Sequence, residues 1–271
     1  MLYNTLDNIM IGKAVTVSPD APAYEALAVM REQRLSAVLA DYSGWPLGIV
    51  TEAGTIAHVL KGFDFSLGTV RDLMTRPFIS VGKETSLDSL CHLMRDRRIE
   101  HVGVYGRMGG TQGVISLTNI VDALSIEFFC RDTIASETMR TDISAVDVSH
   151  PLAVAARAMV ENKIGAVIVA DKRQPVGIIT KRDIVQVVAR RLHIAGIKAG
   201  DVMKSPLITG EQDERVHSQV LLMRKHRIRH LPLLDGTGKI RGLLDDRTMI
   251  DNYLDITDEP CAEVEYLNQR D

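Results

Sequence analysis

The stretch that decides the fold reads Gly177-Ile178-Ile179-Thr180-Lys181-Arg182-Asp183. A glycine opens a short apolar run rich in β-branched residues, which favours a β-strand. Thr180 closes the run, and Asp183 follows three positions later. A threonine followed at this spacing by an acid is typical of the start of a helix. We therefore predict a strand that ends near Thr180 and a helix with Thr180 as its N-cap and Asp183 in its first turn.

The glycine that opens this strand recurs along the chain at a nearly constant spacing. It stands at Gly48, Gly113, Gly177 and Gly242, in steps of 65, 64 and 65 residues. Three further markers keep the same rhythm: Met10, Met74, Met139 and Met203; Met30, Met94, Met159 and Met223; Leu35, Ile99, Ile164 and Ile228. Because four markers recur in phase, the sequence indicates four copies of one structural unit.

Each copy shows the same order of local patterns. An apolar, strand-like run such as Val15-Thr16-Val17 precedes a stripe with the i, i+3, i+4, i+7 spacing of an amphipathic helix. The stripe positions are Ala23, Ala26, Leu27 and Met30; Leu87, Leu90, Cys91 and Met94; Leu152, Ala155, Ala156 and Met159; Val216, Gln219, Val220 and Met223. Two short strands and a second helix follow, and turns join the strands at Ser43-Gly44, Gly109-Gly110, Gln174-Pro175 and Gly236-Thr237-Gly238. We therefore predict an α+β fold of four β-α-β-β-α repeats.

The repeat spacing divides the chain into five segments. Repeats 1 to 4 occupy residues 1–66, 67–130, 131–195 and 196–254, and an acidic C-terminal extension occupies 255–271. Because the repeats take up nearly the whole chain, we expect no separate catalytic domain and no enzymatic activity.

Composition narrows the class of protein further. A net charge of −3 and a pI of about 6.2 argue against a nucleic-acid binder, which usually carries a basic domain. Cys91, Cys130 and Cys261 lie far apart without a C-x-x-C pair, so we expect a reducing, cytoplasmic setting. We expect no signal peptide, because the first residues lack a basic and an apolar region. No apolar run approaches the roughly 20 residues of a membrane span, and no cluster of side chains suggests a metal site.

Two sets of short runs along the chain resemble a known family. Val202-Met203, the run 228–235 and Gly242-Leu243-Leu244 are similar to a CBS domain, as are Thr138-Met139, the run 164–169 and the run 177–184. All four repeats match this pattern. The resemblance implies that repeats 1 and 2 form one tandem CBS (Bateman) module and repeats 3 and 4 another, which in the family often pack into a flat disk. It also implies a sensor of adenosine-containing ligands.

Two interpretations of Thr180 and Asp183 stay open. Both residues suit a capping box, in which the hydroxyl and the acid bond the free N–H groups of the first turn. The family resemblance implies instead that the Thr180 hydroxyl binds phosphate or ribose and that the Asp183 carboxylate binds ribose. The cap position holds Thr51, Ser116, Thr180 and Asp245, and the position three residues on holds Gly54, Asn119, Asp183 and Thr248. Every copy therefore keeps a cap, but only repeat 3 has an acid at the third position.

The resemblance also implies places for the adenine and the phosphates. The adenine would lie between the first strand of repeat 3, at Thr141, Asp142 and Ile143, and the run Ile164, Gly165, Ala166 and Val167. Plain core packing is the alternative role for these residues. The basic run 224–230 resembles the phosphate-facing run in the regulatory γ subunits of AMP-activated kinases. Within this run, Arg229 and His230 are the candidate phosphate clamp over repeat 3. His230 stands just before a strand, as His101 does in repeat 2. Lys181 and Arg182 are the local alternatives. Arg224, Lys225 and Arg227 also suit a solvated, basic helix end.

The other repeats offer weaker sites. Ser116 and Asn119, with His101, form the second choice, because an amide can bond a ribose hydroxyl without charge. Repeat 1 has Thr51 but Gly54, and the acidic pair Asp245-Asp246 in repeat 4 should repel a phosphate.

We therefore expect a non-catalytic regulatory protein with a role such as energy sensing. It should bind AMP, ADP or ATP at repeats 3 and 4 and need no cofactor. We expect it to transmit the ligand state to an unknown protein partner or through a homodimer. A sensor of an S-adenosylmethionine-type ligand and a ligand-free scaffold for protein assembly are the alternatives.

Overall fold

The computed structural model of the chain describes residues 6, 9–10, 14–42, 45–106, 110–124, 133–257 and 266–268. Several predicted features lie outside these residues: the turn at Ser43-Gly44, Gly109 of a second turn, Cys130, Cys261 and most of the C-terminal extension. Within the described ranges, none of the helices combines the length and the apolar character needed to cross a membrane.

The secondary structure follows the predicted order in every repeat. Repeat 1 contains β1 (Thr16–Val17), α1 (Ala23–Glu32), β2 (Ala37–Tyr42), β3 (Trp45–Thr51) and α2 (Glu52–Leu60). Repeat 2 contains α3 (Val70–Leu73), β4 (Ile79–Gly82), α4 (Leu87–Arg97), β5 (His101–Tyr105), β6 (Thr111–Ser116) and α5 (Leu117–Ala123). Repeat 3 contains α6 (Ala135–Thr138), β7 (Ala145–Asp147), α7 (Leu152–Glu161), β8 (Ala166–Asp171), β9 (Gln174–Thr180) and α8 (Lys181–Ala189).

Two short 3-10 turns, Ile194–Gly196 and Ala199–Asp201, lead from repeat 3 into repeat 4. Repeat 4 continues with β10 (Gly210–Glu211), α9 (Val216–His226), β11 (His230–Leu234), β12 (Ile240–Asp245) and α10 (Asp246–Thr257), and β13 (Tyr266–Asn268) follows it. The prediction of a mixed α+β fold built from four equivalent repeats is therefore confirmed.

Each repeat forms its own small sheet with the same pairing. The first strand runs parallel to the second, and the second runs antiparallel to the third. A register shift falls at the same place in each second strand, as between Val169 and Ala170 in β8. In repeat 2 the strand β13 pairs with β4 and adds a fourth strand to the sheet.

The recurring glycines and methionines meet in space. A Cβ added to Gly177 would lie 2.7 Å from Met203 Sδ and 2.8 Å from the Lys204 carbonyl oxygen. The pairs Gly48–Met74 and Gly242–Met139 show the same close approach. Since any side chain at these glycines would collide with the methionine side chain, two of the sequence markers recur for one steric reason.

The helical stripes face the interior, as predicted. All sixteen stripe positions are buried, among them Cys91 and the polar Gln219. Burial raises the pKa of the Cys91 thiol. The prediction that each first helix is amphipathic at these positions is confirmed.

The contacts divide the chain into two compact units, each built from alternate repeats. One unit comprises residues 14–78 and 144–207, which carry the sheets of repeats 1 and 3, and α8 packs on α1 and α2 within it. The other comprises residues 1–13, 79–143 and 208–269, which carry the sheets of repeats 2 and 4, and α10 packs on α4 and α5 within it. The segments that lead predicted repeats 2, 3 and 4 each pack on the sheet of another repeat, as Met203 does on β9. The predicted repeat boundaries along the sequence stay predictions.

Candidate functional site

The candidate site is the start of α8, which carries a capping box. Thr180 ends β9 in an extended conformation and precedes the first helical residue. Its backbone N–H donates to Asp183 Oδ2 at 2.8 Å, and its hydroxyl donates to the same oxygen at 2.5 Å. The prediction of a capped helix start at Thr180 is therefore confirmed, and the cap uses one oxygen of the Asp183 carboxylate.

The second carboxylate oxygen of Asp183 faces a cation. Asp183 is only 7% exposed, and its Oδ1 lies 3.2 Å from the ammonium nitrogen of Lys204, whose side chain is largely exposed. Lys204 reaches this place because its backbone pairs with Ile178 in β9, through hydrogen bonds of 2.9 and 3.1 Å. Lys204 was not among the site residues predicted from the sequence. It directly follows the marker Met203, and this position beside the recurring methionine is the signal that could have identified it.

Two further basic residues, Arg182 and Lys181, lie at the start of α8. Arg182 Nε donates to Glu52 Oε1 at 3.1 Å, so the first turn of α8 in repeat 3 is bonded to the first turn of α2 in repeat 1. The backbone N–H of Lys181 donates to the Gly165 carbonyl at 3.1 Å, and this bond attaches the helix start to the strand entry. Arg182 and Lys181 thus lie within the same cluster as Thr180 and Asp183.

The residues predicted for the adenine pocket have different surroundings. Ile164 and Val167 are buried in the core that repeats 1 and 3 share, and Ala166 is buried beside them. Core packing, the alternative role, is therefore present for Ile164 and Val167, whereas Gly165 is half-buried.

The prediction that Thr141, Asp142 and Ile143 form the first strand of repeat 3 is wrong, because β7 begins at Ala145. The three residues belong to the unit of repeats 2 and 4, and Thr141 and Asp142 are exposed. Asp142 accepts two hydrogen bonds from the guanidinium of Arg140, and these bonds lower its pKa. Contact of these residues with an adenine stays a prediction.

The candidate clamp residues lie in the unit of repeats 2 and 4. Arg229 Nη1 donates to Thr118 Oγ1 at 2.7 Å, and the Thr118 hydroxyl donates to Asp246 Oδ2 at 2.6 Å. His230 and His101 are the first residues of β11 and β5, and both are half-buried. The role of Arg229 and His230 as a phosphate clamp stays a prediction.

The basic run before Arg229 is only partly a solvated helix end. Lys225 and Arg227 are exposed, as this interpretation requires. Arg224 is different, because its guanidinium lies 3.4 Å from the carbonyl oxygens of both Val121 and Leu124. Arg224 therefore caps the end of α5 in repeat 2, and the prediction of a solvated side chain is wrong for this residue.

The three other helix starts are capped as well, by different chemistry. In repeat 2, Asn119 Oδ1 accepts from the backbone N–H and the hydroxyl of Ser116, both at 2.9 Å. In repeat 1, Thr51 Oγ1 accepts from the Gly54 N–H at 3.0 Å.

Repeat 4 uses the same positions with the roles exchanged. The buried Asp245 carboxylate accepts from the Thr248 N–H at 3.0 Å, and the Thr248 hydroxyl accepts from the Asp245 N–H at 3.0 Å. Since an amide closes the box in repeat 2 and a hydroxyl closes it in repeat 4, a carboxylate at the third position is not a requirement of the cap.

Asp246 carries a perturbed pKa. Desolvation of its carboxyl raises the pKa to about 6, although the hydrogen bond from Thr118 and the charge of Arg229 act in the opposite direction. The charges of Asp245 and Asp122 raise it further. Among the described residues, no group of three or more His, Cys, Asp or Glu side chains is arranged to hold a metal ion.

Comparison with protein families gives one consistent match. A family model described as CBS domain matches residues 6–57, 70–126, 134–190 and 199–255, so that each of the four repeats is covered.

Two relatives without an assigned function match over long stretches. An uncharacterized protein of Methanopyrus kandleri is 35% identical over 133 residues, which cover 48% of this chain and 68% of that protein. An uncharacterized protein of Methanocaldococcus jannaschii is 24% identical over 285 residues, which cover 98% of this chain and 65% of that protein. The chain thus spans about two thirds of the length of these relatives.

A solved structure from Methanocaldococcus jannaschii, described as a proposed archaeal homologue of γ-AMPK, matches with a TM-score of 0.81. The match covers 92% of this chain and 99% of the other at 17% sequence identity. At this identity the match shows a shared fold.

Proposed function

The chain belongs to the CBS domain family, whose model matches all four of its repeats, and on this premise we propose that it is a regulatory protein that binds an adenosine nucleotide beside Thr180 and Asp183. The ligand is AMP, ADP or ATP, and the protein performs no catalysis on it. Nucleotide binding in repeat 3 changes the affinity of the protein for a protein partner.

The observation that carries the proposal is the charge of Asp183, which exceeds what its helix cap needs. Asn119 closes the equivalent box in repeat 2 with a neutral amide. Asp183 uses Oδ2 for the cap, while Oδ1 faces the exposed ammonium group of Lys204. An ionised carboxylate can accept several hydrogen bonds, and the two hydroxyls of a ribose are suitable donors for its second oxygen. Lys204 neutralises the buried charge until such a ligand binds.

Cations near Asp183 supply the means to bind a phosphate. Arg182 and Lys181 occupy the first turn of α8, and Lys204 lies on the adjoining segment. The N-terminal end of a helix attracts anions through its free N–H groups and its dipole. Arg182 can bind a phosphate in a bidentate manner, whereas a lysine acts as a point charge.

The Arg182–Glu52 ion pair offers a route by which the ligand state reaches the rest of the unit. A phosphate that binds Arg182 competes with Glu52, and Glu52 belongs to the first turn of α2 in repeat 1. Loss of this pair changes the contact between the helix starts of repeats 1 and 3. Regulation then requires that the ligand bind the two arrangements with different affinity.

Thermal unfolding tests the proposal against both alternatives. The protein is unfolded in buffer and with adenosine, AMP, ADP, ATP or S-adenosylmethionine. A ligand present at 100 times its Kd stabilises the folded state by about 2.7 kcal/mol. A shift with the nucleotides is the expected result. A shift with S-adenosylmethionine alone supports the sensor of an S-adenosylmethionine-type ligand, and the absence of a shift with every compound refutes both sensors and leaves the scaffold.

Asp183→Asn tests whether the second carboxylate oxygen binds ribose. The amide keeps the cap, as Asn119 does, but removes the charge that strengthens two ribose hydrogen bonds. Charged hydrogen bonds exceed neutral ones by about 1 kcal/mol each, so we expect adenosine affinity to fall by about 2 kcal/mol, or roughly 30-fold. Isothermal titration calorimetry measures the change.

Asp72→Asn is the matched control for this variant. Asp72 Oδ2 accepts from the backbone N–H of Thr69 at 2.9 Å and from its hydroxyl at 2.8 Å, in a box with the same geometry at the start of α3. We expect this variant to bind adenosine as the wild type does. Equal losses in the two variants, or unchanged affinity in Asp183→Asn, contradict a direct contact between Asp183 and ribose.

A further inference from the structure

The contact between Asp246, Thr118 and Arg229 links repeat 4 with repeat 2 inside one unit. The Thr118 hydroxyl accepts from Arg229 Nη1 at 2.7 Å and donates to Asp246 Oδ2 at 2.6 Å. Asp246, Thr118 and Arg229 are all half-buried. A carboxylate and a guanidinium are therefore bridged by one hydroxyl group, and their charges partly compensate each other.

The other unit has a related contact at the equivalent positions. Glu52 directly follows the cap residue of repeat 1, as Asp246 follows the cap residue of repeat 4. Glu52 bonds to Arg182, the second residue of α8, and Asp246 bonds to Thr118, the second residue of α5. In both units an acid at one helix start contacts the first turn of a second helix. Glu52 bonds directly to Arg182, whereas Asp246 is linked to Arg229 through the Thr118 hydroxyl.

The charges around Asp246 oppose one another. Arg229 favours the ionised carboxylate, whereas the carboxylates of Asp245 and Asp122 disfavour it. Asp245 is itself held by Thr248 and lies 4.0 Å from a guanidinium nitrogen of Arg140. Arg247, the neighbour of Asp246, is paired with Glu100 at 3.7 Å. Arg229 contacts the Asp246–Thr118 pair through the Thr118 hydroxyl.

We propose that Asp246 is an internal competitor for anionic ligands at Arg229: its carboxylate holds the Thr118–Arg229 pair in the place of a phosphoryl group. Arg229 becomes available to a phosphoryl group when Asp246 is displaced or takes up a proton. Arg229 lies in the unit of repeats 2 and 4, so the inference concerns a second anion site and does not depend on the proposed site beside Asp183 in the other unit. Binding of an anion at Arg229 is then coupled to proton uptake by Asp246, and the affinity for the anion rises as the pH falls.

The pKa of about 6 sets the size of the effect. At pH 5.5 about three quarters of the Asp246 carboxyl groups are protonated, and at pH 7.5 about 3% are. An anion that binds only to the protonated form therefore binds about 25-fold more tightly at pH 5.5 than at pH 7.5. At pH 7 the same equilibrium requires the uptake of about 0.9 proton for each anion bound.

Sulfate is the probe, because it keeps both charges throughout this pH range and lacks an adenosine group. Calorimetric titration of the wild-type chain at pH 5.5 and 7.5 should show the roughly 25-fold change. We expect Asp246→Asn to bind sulfate at pH 7.5 as tightly as the wild type does at pH 5.5, with most of the pH dependence lost. The variant retains His230 and the other titratable groups, so the difference between the two proteins isolates Asp246.

Two further variants assign the effect to this place. Arg229→Gln in the Asp246→Asn background should abolish the gained sulfate affinity, whereas Asp72→Asn, at the start of α3 in the other unit, should leave the pH dependence unchanged. The proposal is overturned if the sulfate affinity gained in Asp246→Asn persists after loss of Arg229, and also if Asp246→Asn shows no gain in sulfate affinity at pH 7.5.

Proton uptake in the wild type gives a test that does not depend on the folding of any variant. Sulfate titration at pH 7 in buffers of different ionisation enthalpy measures the uptake directly. Uptake near zero overturns the inference. Adenosine binding, which requires no phosphate, is measured separately and decides the proposed function whatever the sulfate result.

Discussion

Replacing Gly177 by alanine tests the packing that brings Lys204 to the site. The added Cβ would lie 2.7 Å from Met203 Sδ and 2.8 Å from the Lys204 carbonyl oxygen. The methionine side chain is flexible and can move, but the carbonyl belongs to backbone that pairs with Ile178 through hydrogen bonds of 2.9 and 3.1 Å. The Lys204 segment must therefore shift away from β9.

The cost follows from these two contacts. Overpacking in a filled core typically costs about 1–3 kcal/mol, and weakening of the two backbone hydrogen bonds adds to it. We expect a loss of about 2–3 kcal/mol in the free energy of unfolding, measured by urea denaturation. Adenosine affinity should also change, because the ammonium group of Lys204 would no longer lie 3.2 Å from Asp183.

The matched control is Gly196→Ala, since a Cβ at Gly196 would meet no atom within 4 Å. We expect that variant to be neutral or slightly stabilised. A Gly177→Ala variant whose stability lies within about 0.5 kcal/mol of the wild type would refute the steric explanation of the recurring glycine.

Two further predictions concern single side chains. Lys204→Met removes the cation beside Asp183 but keeps an unbranched apolar chain, so we expect adenosine to bind more tightly and the affinity for AMP to rise less than that for adenosine. Calorimetry with both ligands measures the two affinities. Equal changes for both ligands would contradict a competition between Lys204 and ribose. Gln219 is buried in the stripe of α9, and its Oε1 has no hydrogen-bond partner within the described part of the chain. Because Leu90 occupies the equivalent position in repeat 2, we expect Gln219→Leu to raise the free energy of unfolding by about 1–2 kcal/mol in urea denaturation, whereas destabilisation would show that the amide is satisfied.

The local elements of each repeat could be predicted because the signals that specify them lie close together in the sequence. The stripe in α7 and the capping pair Thr180–Asp183 both span only a few residues, and both formed as predicted. The strand entry of repeat 3 was misjudged at Ile143, because apolar character alone does not show where pairing with β8 begins. The observed pairing begins at Ala145.

The candidate site could be predicted only in part. Thr180, Asp183, Lys181 and Arg182 were identified because they are neighbours at a helix start. Their partners come from elsewhere in the chain, and the contact of Arg182 with Glu52 depends on the packing of α8 against α2. No spacing rule within one repeat predicts such a contact.

The sequence by itself determined the four repeats, the order of their strands and helices, and the four capped helix starts, because short-range hydrogen bonding and hydrophobic periodicity act over a few residues. Only the tertiary structure decided that repeats 1 and 3 share one core and repeats 2 and 4 another. It also decided which charges meet, since Lys204 reaches Asp183, and Asp246 reaches Thr118 and through it Arg229, only after distant segments have packed. The charge at Asp183 is thus visible in the sequence, but the cation that balances it is set by the fold.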